Sequence, residues 1–165
     1  MQESHHGHDH SGHRVQAASV TLNRLALAAT AHCLAGCAIG EVLGLVIGLA
    51  LGLGNASSIA LAVTLAFVFG YAFTLQPLLA GAVPFRRALS LALASDTLSI
   101  TVMEIVDNAV VLVIPGAMDA GLSSLLFWTS LALSLALAFV AAFPVNRWLI
   151  SQGRGHALVH AHHHE

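Results

Sequence analysis

Cys33, Cys37 and Glu41 recur at every fourth position of one long apolar run, and Asp96, Met103, Glu104, Asp107 and Asn108 lie within another. On a helix a four-residue step rises about 6 Å and drifts about 40°, so the first three residues form a slanting stripe. Cys33 and Cys37 are close enough to grip one ion. Glu41, about 12 Å further along the axis, cannot share that ion, because metal–ligand bonds span only about 2.0–2.3 Å. The stripe therefore reads as successive stations. In the second run Asp96, Ile100, Met103 and Asp107 share a helical face, with Glu104 and Asn108 beside them.

These types divide by chemistry. His32, Cys33 and Cys37, with Asp96 beside them, would form a softer inner site. Glu41, Glu104, Asp107 and Asn108 would form a harder outer one. Thiolate, imidazole and thioether ligands favour copper(I) or zinc, whereas carboxylate and amide oxygens suit harder cations or proton relay. The expected metal ligands are His32, Cys33, Cys37, Glu41 and Glu104; the expected ion path runs along Glu41, Asp96, Met103, Glu104, Asp107 and Asn108. Each also has a structural reading: a membrane cysteine as a small hydrophobe, Met103 as filler, His32 as a bond to a neighbouring helix. A disulfide between Cys33 and Cys37 is disfavoured, because a regular helix makes its dihedral hard to reach and the spacing is not Cys-x-x-Cys.

The tails carry a second signal. His5, His6, His8, His10 and His13 alternate with Gly, Asp and Ser, and His156, His160, His162, His163 and His164 crowd the other end. Such tracts read as flexible, low-affinity metal-capture segments, and neither is the plain run of a purification tag.

The elements that must position these residues follow from composition. Of 165 residues, 57% are hydrophobic and 8% charged, against about 25% charged in an ordinary soluble domain. About 20 apolar residues span the hydrocarbon core, and four segments qualify: residues 25–53, 58–79, 88–114 and 122–150. Backbone polar groups in lipid must be satisfied internally, so runs this long are helices. The expectation is an all-α, integral membrane four-helix bundle of one domain, with polar tails at 1–24 and 151–165. The polar first 20 residues lack the features of a cleavable signal.

There is no lysine. Arg14, Arg24, Arg86, Arg87, Arg147 and Arg154 fall at the two ends of the bundle sequence and in the middle loop, so the positive-inside rule puts both termini in the cytoplasm. Gly36, Gly40, Gly44, Gly48 and Gly52 make a groove for close helix packing, alternatively a subunit interface in a homo-oligomer. Superposing Glu41 on Glu104 sets Cys33 opposite Asp96, a hint of two parallel helical-hairpin repeats. Counted from the arginines, both pairs lie at matching depths.

The run Ala31-His32-Cys33-Leu34-Ala35-Gly36-Cys37-Ala38-Ile39-Gly40-Glu41 belongs with further motifs: Asp96-Thr97-Leu98-Ser99-Ile100, Met103-Glu104-Ile105-Val106-Asp107-Asn108, Pro115-Gly116-Ala117-Met118, Phe127-Trp128 and Pro144-Val145-Asn146-Arg147-Trp148. Together they resemble a bacterial membrane family, domain of unknown function 4396, over roughly residues 31–156. The resemblance implies a small four-helix inner-membrane domain and no established activity. The residues themselves point to a transporter or channel for a cation, with a transition metal such as copper or zinc as cargo. The alternatives are a metal-binding membrane accessory or sensor without transport and a thiol- or cofactor-based membrane redox protein. The expected partners are the lipid bilayer, the cation and further copies of the chain, with no nucleic acid. No nucleotide-binding loop is present, which argues against ATP-driven pumping by this chain alone.

Overall fold

The backbone of residues 10–152 and the side chains of residues 19–152 are described by a computed structural model. Four helices follow one another: α1 His10–Ala50, α2 Asn55–Ala80, α3 Phe85–Val113 and α4 Leu125–Ser151. Each contains a stretch long and apolar enough to cross a membrane, in α1 from Ser19 onward. The molecule is a multi-pass helical membrane protein.

The large side chains point outward. Leu49, Val68, Ile105 and Val140 are more than half exposed, while Ala66, Ala88, Ala92, Ala138 and Ala142 are fully buried. That inversion suits lipid, where tails offer apolar side chains as good an environment as a core does, and close helix contact depends on small residues.

The helices form two antiparallel hairpins, α1 with α2 and α3 with α4, and α4 also returns against α1. The closest approach is in the first hairpin. Gly36, Gly40, Gly44 and Gly48 lie on Gly70, Ala66, Ala62 and Ser58 of α2, and a Cβ at Gly36 would stand 2.7 Å from the Gly70 Cα. From Gly36 to Gly48 the glycine ladder is thus filled within the chain, which removes that stretch as a free subunit interface, while Gly52 meets nothing within 4 Å. Near the arginine-bearing end, Asn146 Nδ2 donates to Thr30 Oγ1 at 2.9 Å and Arg147 Nε to Asn23 Oδ1 at 2.7 Å, tying α4 to α1. Tyr71 and Thr97 join α2 to α3 through their hydroxyls at 2.8 Å.

The helix limits differ from those expected, for local reasons. α1 starts at His10, so part of the expected tail is helical, and it stops at Ala50 instead of Leu53. There Gly52 takes a left-handed φ of 64°, while Leu53 N donates to Gly48 O and Gly52 N to Leu49 O, the Schellman arrangement that closes a helix. α4 starts at Leu125 instead of Leu122 because Ser124 caps it, its side chain accepting from Leu126 N. α2 and α3 each begin three residues earlier than expected, at Asn55 and Phe85. Residues 114–124 form the longest connection, lying over the end of the bundle opposite the arginines.

A Cβ at Gly40 would collide with the Leu65–Ala66 backbone, whereas none within 4 Å opposes one at Gly54. Gly40→Val should therefore lower stability by at least the ~1–3 kcal/mol of core overpacking, and Gly54→Ala should leave it unchanged. Thermal unfolding in detergent checks the pair.

Candidate functional site

The glycine ladder fixes the rotation of α1. Cys37 and Glu41 each follow a ladder glycine by one residue, about 100° round the helix, and Cys33 lies a four-residue step before Cys37 on the same stripe, which turns from α2 toward α3 in the bundle interior. Cys33 and Cys37 are 1% exposed, and Glu41 is 5%. From α3 come Asp96, Met103, Glu104 and Asp107, all buried, and Asn108 beside them.

Four of these residues open onto one cavity. It measures about 340 Å³, with Glu41, Glu104, Asp107 and Asn108 at its inner end and Asn55, Asp119 and Leu122 toward the loops. A buried water needs about 10–15 Å³ of such space, so the cavity admits an ion with several waters. Neither carboxyl oxygen of Glu41 or of Glu104 has a hydrogen-bond partner, nor does Asp107 Oδ1. Glu41 and Asp107 lie within reach of each other, and Asp107 also of the Ser134 hydroxyl from α4. Asn108 spends an amide hydrogen on the Glu104 carbonyl at 2.9 Å. At the mouth Asn55 Nδ2 donates to Asp119 Oδ1 at 3.5 Å, holding the α3–α4 connection against α2.

Deeper in the bundle the surroundings change. Cys33 Sγ lies 3.9 Å from Asp96 Oδ1, which also accepts from Ser95 Oγ at 2.7 Å. Cys37 stands one turn outward beside Glu104, in the field of Glu41 and Cys33. Ala66, Ile100, Met103, Ala138 and Ala142 enclose this region, none more than 1% exposed. The expected outer site is thus gathered in one cavity, while the expected inner set is spread out. Cys33 meets Asp96, Cys37 faces Glu104, and the half-buried His32 ring lies against Phe73 of α2 with centroids 5.6 Å apart. Met103 is in the wall. Both cysteines are free thiols. Among the described residues no group of three or more His, Cys, Asp or Glu side chains is arranged to hold a metal ion. A cation in the cavity would therefore keep part of its water shell, as hard cations do.

The tail histidines His5, His6, His8, His156, His160, His162, His163 and His164 lie outside the described residues. His10 and His13 fall within α1, and their side chains lie outside them too. The sequence reading passed over Ser130 and Ser134, whose spacing continues through Ala138, Ala142 and Asn146 as a four-residue stripe of small or polar residues on α4. It also passed over Thr30, partner of Asn146, and the Asn55–Asp119 pair at the mouth. The stripe was present in the sequence as a signal; the loop-to-helix pair was not.

Carboxyl groups buried in a membrane without a basic partner must be neutralised by protons or by a bound cation. Among the described residues Arg24, Arg86, Arg87 and Arg147 all belong to the opposite end of the bundle. Fold and site together define a multi-pass membrane protein with an acidic cavity inside its helical bundle. The chain belongs to the family described as domain of unknown function (DUF4396), whose model matches residues 23–155. No curated protein and no solved structure matches it.

Burial sets the reactivity of the thiols. In the folded protein Cys33 and Cys37 should resist a hydrophilic maleimide, while Asn108→Cys, facing the cavity, should be labelled; mass spectrometry counts the adducts. Rapid labelling of the native pair would contradict the sealed inner region.

Proposed function

We propose that the protein is a membrane transporter or channel for a cation, with the carboxyl cavity as its loading site. One observation carries this reading: Glu41 and Glu104, from helices that meet across the middle of the bundle, both line one cavity, and their four buried carboxyl oxygens have no hydrogen-bond partner. Burying such groups is costly, and a structural network would have satisfied them with donors. Asp107 and Asn108 add further oxygens at the same level. The Asp119 carboxylate near the mouth adds negative charge that favours cations there.

A transition metal such as copper or zinc is the cargo this reading favours. Cys37 next to Glu104 offers a softer ligand one turn beyond the carboxyls, and Cys33 another beyond that. The histidine-rich tails would capture or release the ion on the side where they lie. In this reading that side is the cytoplasm of a bacterial inner membrane, supported by the arginines gathered at that end, and the cavity opens outward. Metal cargo and a homo-oligomeric assembly around it both belong to the proposal.

The test uses purified protein in liposomes. Glu41→Gln and Glu104→Gln should each reduce Zn²⁺ or Cu⁺ flux to the level of protein-free vesicles while the bundle still assembles. Unchanged flux in both variants would contradict the proposal, and binding without flux in the wild type would favour an accessory or sensor role.

A further inference from the structure

Between its carboxyls and its mouth the cavity is walled by apolar side chains. Leu45 stands one turn of α1, about 6 Å, from Glu41 toward the loops, and Val111 lies about 10 Å along α3 from Glu104. Ile59 of α2 and Phe127 and Leu131 of α4 line the same space. Phe127 and Leu131 are buried, the other three half-buried. Ser130 spends its hydroxyl on the Leu126 and Phe127 carbonyls, which leaves Ser58 as the polar side chain of this collar. From the inner end the order is therefore carboxyls, apolar collar, then Asn55 and Asp119. The volume of about 340 Å³ falls at the lower end of the roughly 300–1,000 Å³ usual for pockets that hold small organic ligands.

A metal ion gains nothing from an apolar collar. An organic ammonium ion does, because its hydrocarbon part leaves water there while its head meets the acids. Glu41 and Glu104 are each 5% exposed, and none of their four carboxyl oxygens has a hydrogen-bond partner. An –NH₃⁺ group carries three donors and no acceptor, so one head can donate to both residues through charge-assisted bonds. It also brings the positive charge that the described arginines, all at the opposite end, do not. We propose that the cavity takes amphiphilic primary ammonium ions, head inward against Glu41 and Glu104, with the apolar body among Leu45, Ile59, Val111, Phe127 and Leu131. The proposal rests on the carboxyls forming a cation-loading site, and it adds an organic class of ligand to the metal cargo.

The test is equilibrium dialysis of the full chain in detergent against radiolabelled n-hexylammonium at neutral pH, with protein-free micelles as the blank. The wild type should bind it saturably, and Glu41→Gln/Glu104→Gln should weaken binding on the order of tenfold or more. Across propyl- to hexylammonium the saturable affinity should rise about fourfold per methylene. Methylammonium and n-hexanol each carry one half of the ligand, so neither should displace the label at the concentration where unlabelled hexylammonium does. No saturable binding above the blank, full binding in the double variant, or displacement by hexanol would each overturn the proposal. If the double variant does not fold, Val111→Thr takes its place: a hydroxyl in the collar should weaken hexylammonium several-fold and leave Zn²⁺ binding unchanged, and undiminished hexylammonium affinity would overturn the proposal equally. Zn²⁺ binding is measured on the same samples. Hexylammonium bound without Zn²⁺ would sink the metal cargo and leave this ligand class standing; Zn²⁺ bound without hexylammonium would do the reverse.

Discussion

The contact of α1 with α2 along Gly36, Gly40, Gly44 and Gly48 is the constraint from which the rest follows. Backbones this close leave α1 one rotation, because any turn of the helix would drive a side chain into Ala66 or Gly70. With that rotation fixed, the residues one place further along, Cys37 and Glu41, must face the interior, where α3 brings Glu104 and Asp107. The packing motif and the chemical motif of α1 are thus two neighbouring stripes on one helix. The first holds the second in place.

What the interior then contains is unusual for a bundle this small. Carboxyls from two helices share a cavity with no described basic side chain, and several of their oxygens have no donor. Stability alone does not account for this, since replacing buried ionisable groups with apolar ones of similar volume is often neutral or stabilising. The alanines and serines of α4 match the arrangement: small at Ala138 and Ala142 in the inner half, and hydroxyl-bearing at Ser130 in the cavity wall and at Ser134 beside Asp107. One half of the bundle interior holds the oxygen-lined cavity, and the other buries Cys33 and Cys37 among Ala66, Ile100, Met103, Ala138 and Ala142.

The four helices were legible in the sequence because hydrocarbon thickness demands long apolar runs that nothing else explains. Their depth was legible as well: counting from the arginines sets Cys33 level with Asp96 and Glu41 level with Glu104, and these residues do meet Asp96 and share the Glu104 cavity respectively. Helix ends were less so, since Gly52 and Ser124 act through backbone geometry that hydropathy does not register. The facing of individual side chains was legible only in part. His32 and Cys33 are adjacent in sequence, yet one lies against Phe73 on α2 and the other against Asp96 on α3, a 100° difference whose outcome depends on the rotation that the glycines impose. The serines of α4 look in sequence like ordinary small packing residues, and only their position beside the carboxyls gives them meaning.

The central claim is that the cation site lies within the bilayer and not in the histidine-rich tails. Metal analysis of the purified protein in detergent separates the two, comparing the full chain, a form lacking residues 1–18 and 153–165, and the double variant Glu41→Gln/Glu104→Gln. The account predicts that bound Zn²⁺ or Cu⁺ survives removal of the tails and is lost with the two carboxylates; metal lost with the tails and kept in the double variant would contradict it.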